Sequence, residues 1–171
     1  MITVDSVIGN IKKEKQLKEK YDEMCNKNCC ERIKISRLES QRARMRKSSD
    51  RGTDLALILP PGIRLKHGDV IILTDNKMVI VEIEPENVLM IEIKENIRED
   101  DVLEVPVRVG HTIGNLHRPI KIERHKIYFP IQADTEVEMF KKLFEPVNEH
   151  LDIKKRLMVF EPEEGMEMHE H

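Results

Sequence analysis

The stretch "RARMRKSSDRGTDLALILP", residues 42–60, most constrains what this chain can fold into. Polar and apolar residues alternate on both sides of a short Asp50-Arg51-Gly52 turn, which is the signal of a β-hairpin. On the first strand Arg42, Arg44 and Arg46 fall on one face, with Ala43 and Met45 on the other. On the return strand Leu55, Leu57 and Leu59 share a face. A period of two with large apolar residues on one side needs a second layer to bury that side.

The surrounding segments extend the same pattern. "MITVDSVIG" reads as a strand stopped at Gly9-Asn10, and "RIKIS" alternates again. "PPGIRLKHGDVIIL" predicts a turn at Pro61-Gly62, a short strand, a turn at Gly68-Asp69 and a strong apolar strand, and "KMVIVEIEP" follows. Between the first two strands, "KKEKQLKEKYDEMCNKNCCE" shows no clear apolar stripe and reads as an exposed helix or a polar insertion over about residues 11–30. Many short strands between Gly/Pro turns predict a small sandwich or barrel-like pair of sheets.

Pro85 marks a linker, and the periodicity changes after it. "NVLMIEIK" is a strand, and apolar residues at 102, 105, 109, 113 and 116 have helical spacing. Pro106 is placed in the first turn, where its missing N–H costs little, which makes that helix short. "PIKIER" and "KIYFPI" form a strand pair. "ADTEVEMFKKLFEP" is a helix with a Thr135-x-x-Glu138 capping box and Val137, Phe140 and Phe144 on one face, and "DIKKRLMVFEP" is a last strand. The reading is a mixed α/β chain of two domains. Residues 1–84 are a β-rich domain, 85–162 a ferredoxin-like βαββαβ domain, and 163–171 a disordered, His-containing tail.

Bulk composition narrows the function. A chain of 171 residues is long enough for one ordinary domain or two small ones. It is 36% charged and carries a net charge of −3, basic over 11–47 and acidic at the end. No aromatic residues interleave the basic ones as nucleic-acid stacking platforms, so these charges read as solvated faces, with neither nucleic acid nor membrane as partner. No apolar run approaches the ~18 residues of a transmembrane helix, and no signal peptide opens the chain, which predicts a cytoplasmic protein. Cys25, Cys29 and Cys30 are an odd, crowded set that fits reduced thiols and matches no strong zinc motif.

No P-loop, dinucleotide fingerprint or nucleophile elbow is present, so an enzyme is not expected. Metal binding has better support. In "GHTIGNLHRP", residues 110–119, His111 and His117 are six apart. On one helix that separation turns the imidazoles about 120° from each other, so one helix cannot aim both at one ion. A two-fold dimer, however, presents a histidine near its axis twice. His169 and His171 in "MEMHEH" can add ligands, and imidazole suits Ni, Zn and Cu alike. His67, His125 and His150 read as structural or solvated. A rival reading is a metal-independent interaction module using the basic face of the β-domain.

"GNLHRP" resembles the Gly-Asn-x-His-x-Pro signature of the UreE family of urease accessory proteins. "RARMRKSSDRGTDLALILPPGIRLKHGDVI" resembles that family's N-terminal domain in order and spacing, and the likeness covers roughly residues 36–160. It implies a homodimeric nickel metallochaperone with a partner-binding β-domain and a ferredoxin-like domain that dimerises and holds metal. The matching ligand is His117 from both chains. His111 matches a histidine at the start of the motif, and His169 and His171 match ligands of the tail. Zn(II) or Cu(II) can occupy the same site. The implied partners are urease and its other accessory proteins, including the GTPase. The chain departs from the family where it has "YFPIQAD" in place of additional histidines, and in its short "HEH" ending.

Overall fold

The structure, a computed structural model, describes residues 1–163; residues 164–171 of the expected tail, with His169 and His171, lie outside the described residues. The chain divides into two compact units, Met1–Glu84 and a second beginning at Pro85. No helix among the described residues is long and apolar enough to cross a membrane.

The first unit holds two sheets. Strand β1 (Ile2–Val4) runs parallel to β5 (Asp54–Ile58), and β5 pairs antiparallel with β4 (Arg44–Ser48). The hairpin has the expected register, Arg44 opposite Ile58 and Ser48 opposite Asp54. Gly52 closes its turn at φ 83°, where only a residue without Cβ is unstrained. Leu55, Leu57 and Leu59 are buried, while Arg44 and Arg46 are exposed. Arg46 grips Asp54 with Nε at 2.9 Å and Nη2 at 2.8 Å, so part of the arginine face is neutralised across the hairpin.

The second sheet has the order β2–β6–β7–β3, with β2 Gly9–Asn10, β3 Cys30–Ile35, β6 Asp69–Leu73 and β7 Met78–Ile83. Two expectations fail here. Gly9-Asn10 is not a stop but a short strand paired with β6. Asn10 is buried because its side chain donates to Asp69 Oδ1 at 2.8 Å and accepts from the Lys12 amide at 2.8 Å. No strand forms between Pro61 and Gly68. Of the two readings of the stretch after β2 the helix is the one that forms, α1 (Lys15–Asn26), and it has an apolar stripe: Leu17, Tyr21, Met24 and Cys25 pack with Cys30, Val70, Met78 and Ile80. Its opposite face is solvated and carries the Lys18–Asp22 and Lys27–Glu23 pairs. A one-turn helix α2 (Arg37–Ser40) follows β3, opened by a Ser36/Glu39 capping box that the sequence reading passed over.

The second unit follows the βαββαβ order. Its elements are β8 (Glu86–Ile93), α3 (Asp101–Asn115), β9 (Lys121–Glu123), β10 (Lys126–Pro130), α4 (Thr135–Leu143) and β11 (Leu151–Met158). The strand order β11–β8–β10–β9 with antiparallel pairs throughout is the ferredoxin-like arrangement. Leu89, Ile91, Ile127 and Phe129 of the sheet bury against Val105, Val109 and Ile113 of α3 and Phe140 of α4. Val137, Phe140 and Phe144 face this core as expected. The capping box at Thr135 does not form, because Asp134 is the flanking residue and makes no side-chain cap.

Candidate metal centre

Helix α3 delivers the histidine motif. Buried Val105, Val109 and Ile113 recur every four residues and hold one side of it on the sheet. Pro106 lies inside the helix rather than in its first turn, and the helix still runs for 15 residues. The proline sits on the exposed side of α3, while Val105 before it and Val109 one turn later secure the helix against the core. The opposite stripe is bare. Leu103 is 76% exposed and Val107 58%, and they continue into Gly110 and Gly114, where an added Cβ would meet nothing within 4 Å.

The helix ends at Asn115, so His117 is not helical and the 120° argument does not describe it. Leu116 is the C-cap. The His117 amide donates to the Gly114 carbonyl at 3.0 Å, and the Arg118 amide donates to that of Ile113 at 3.4 Å. This bond pair is a Schellman motif, and it places His117 in the left-handed position at φ 51°. Glycine is the usual residue there, because a Cβ crowds the neighbouring carbonyl. His117 is exposed despite being fixed at its backbone.

His111 is engaged differently. Its Nε2 lies 3.0 Å from Asn115 Nδ2, one helical turn on. A neutral ring that accepts from that amide at Nε2 carries its proton on Nδ1, so while the bond stands neither nitrogen offers a lone pair to a metal. Asn115 of the motif therefore serves the first histidine, while Gly114 accepts the bond that turns the chain at the second.

Arg118 leaves the cap toward α4. Its Nη2 donates to Glu136 Oε1 at 3.0 Å, and the other carboxylate oxygen accepts from the Gln132 amide at 3.2 Å. Sequence reading missed this pair because its partners are 18 residues apart and share no periodicity. Glu163 was also missed. Its amide donates to the Ile120 carbonyl at 3.3 Å and its carboxylate accepts from the Ile122 amide at 3.1 Å. The chain is thus still pinned one residue beyond Pro162, where the sequence predicts disorder.

The remaining histidines have local partners. His67 Nδ1 accepts from the Ile83 amide at 3.2 Å, His125 lies 3.8 Å from Glu92, and His150 lies 3.4 Å from Asp101. The three cysteines are free thiols, and burial pushes Cys30 up to about 12, so it stays protonated and is a poor ligand. Among the described residues, no three His, Cys, Asp or Glu side chains are grouped to hold an ion. His117 is exposed and belongs to no such group.

Comparison with known proteins bears on both units. Residues 4–84 match the family model for the N-terminal domain of the UreE urease accessory protein, and residues 82–171 match that for its C-terminal domain. The urease accessory protein UreE of Natronomonas pharaonis is 30% identical over 134 residues, covering 78% of this chain and 61% of that protein. That of Yersinia pestis (strain Pestoides F) is 28% identical over 139 residues, covering 79% and 58%. The chain therefore spans about three fifths of the length of these curated relatives. With both domain models matched in order along one chain, this protein belongs to the UreE family of urease accessory proteins.

Proposed function

We propose that the chain is a nickel metallochaperone of urease maturation, acting as a homodimer that carries Ni(II) between two copies of His117 and releases it to the urease assembly complex. The observation that carries this reading is the setting of His117. It is a solvent-facing imidazole with a rigid backbone, at the end of a helix whose outer stripe of Leu103, Val107, Gly110 and Gly114 is bare. An apolar helix face with two bare glycines suits close approach by the same face of a second copy. That approach would supply the second imidazole.

His169 and His171 then complete the shell. Glu163 is bonded to Ile120, three residues from His117 in the chain, and His169 follows Glu163 by six residues. At roughly 3.3–3.6 Å per residue, those six residues span up to about 20 Å, which is ample for the gap. A site of two His117 imidazoles completed by imidazoles of the tails can exchange its ligands one at a time, which favours handover over storage. Zn(II) and Cu(II) would compete for the same nitrogens. Urease and its other accessory proteins, including the GTPase, are the intended partners, and the role is transfer rather than catalysis. Imidazole ligates as the free base, whose reference pKa is about 6.5, so nickel affinity should fall as pH drops below that value.

Calorimetric titration with Ni(II) tests the reading. The unaltered protein should bind one tight ion per dimer, and His117→Ala should lose it. Tight binding at the same stoichiometry in the variant would overturn the assignment.

A further inference from the structure

We propose that Arg118 and Glu136 form a bracket that sets the direction of the His117 imidazole, so that both are positioning residues of the metal site; this rests on the reading of His117 as the ligand. The ligand's backbone is held on one side by the Schellman bonds at the end of α3. On the other side the next residue, Arg118, reaches across to α4. Its guanidinium donates to Glu136 Oε1 at 3.0 Å, with the two side chains only 18% and 16% exposed.

Each end of the bracket is itself fixed. Glu136 lies in the first turn of α4, where the helix dipole favours a carboxylate, and its second oxygen accepts from the Gln132 amide at 3.2 Å. Arg118 carries the amide that closes the cap on Ile113. A single residue therefore ties the end of α3 to the start of α4, and it is the next residue in the chain after His117. The bond does more than hold two helices together. At φ 51° His117 has a backbone conformation that its own side chain disfavours, and relaxing Arg118 would allow the turn to unwind. The bracket also keeps a cation occupied. An unpaired guanidinium one residue from the ligand would repel a divalent ion and compete with it for the site.

Glu136→Gln and Arg118→Gln, made in the full chain, separate positioning from mere stability. Nickel chloride is the probe, with calorimetry for affinity, visible ligand-field bands for coordination geometry, and sedimentation and thermal unfolding for dimer and fold. The bracket requires both variants to remain folded dimers that bind nickel on the order of tenfold more weakly with shifted bands, as loss of outer-shell partners does. Glu136→Asp, which keeps the charge but shortens the reach, should fall between them and the unaltered protein, and it serves as the test if Glu136→Gln does not fold. Unchanged affinity and bands in these variants, whatever their melting temperature, would overturn the bracket while a non-binding His117→Ala left the ligand assignment standing. If His117→Ala itself binds as the unaltered protein does, the underlying reading fails instead.

Discussion

At position 117 the backbone asks for glycine and the chain supplies histidine. An L-residue in the left-handed region costs roughly 1–2 kcal/mol, and glycine's larger unfolded-state entropy returns about 0.5–1 of that. His117→Gly should therefore stabilise the second unit by ~0.5–1 kcal/mol in chemical denaturation while removing tight nickel binding. His117→Ala, which keeps a Cβ, should lose the metal without the gain. Stability below the optimum at a site of this kind is what a functional side chain in a strained turn produces. The sequence made His117 legible as the motif's second histidine, because the Gly-Asn-x-His-x-Pro spacing is short and local. It did not reveal how the imidazole is aimed. Helical arithmetic presumes that the helix continues, and here it stops two residues earlier, at Asn115.

Helix α1 and the β4–β5 hairpin show where element-level reading succeeds and where it fails. Alternation about Asp50-Arg51-Gly52 gave the hairpin its register, since a period of two leaves little choice of face. The α1 stripe escaped notice because Leu17, Tyr21, Met24 and Cys25 are a sparse and partly polar set among lysines and glutamates. The hairpin's turn also engages β3 and the residue before β7 through a buried carboxylate that no pattern announces. Glu31, 6% exposed, accepts from Lys77 at 2.8 Å and from the Ser49 hydroxyl at 2.5 Å. Burial pushes this carboxyl up, but the bonds from Lys77, Ser49 and Thr53 outweigh it and hold Glu31 at about 2. A depressed carboxylate contributes stability that is complete above its unfolded value, near 4.5, and is lost as pH falls toward 2. The first unit should thus lose on the order of 2–3 kcal/mol over that window. Glu31→Gln should be destabilised at neutral pH and show a flatter acid limb, read by denaturant titration at a series of pH values.

At the scale of the molecule, the two-unit, ferredoxin-like plan was readable because each half has its own periodicity and Pro85 separates them. The helix face assigned to the proposed dimer was not, since exposed apolar residues such as Leu103 and Val107 look in sequence like any others on a helix. The proposed dimer makes them separable from the tail. Val107→Glu should shift sedimentation toward monomer and abolish the shared nickel site, whereas truncation after Gly165 should leave the dimer intact and only weaken binding. A different consequence follows from the bonds of Glu163 to β9. The ferredoxin-like sheet has two outer strands, β11 and β9. Exposed Lys154, Lys155 and Arg156 guard the first with charge, and Glu163 occupies the carbonyl of Ile120 and the amide of Ile122 at the second. Both edges are thereby poor templates for strand addition. The open-ended, edge-to-edge growth that leads to fibres is thereby disfavoured, whereas the proposed two-fold contact through a helix face would close on itself.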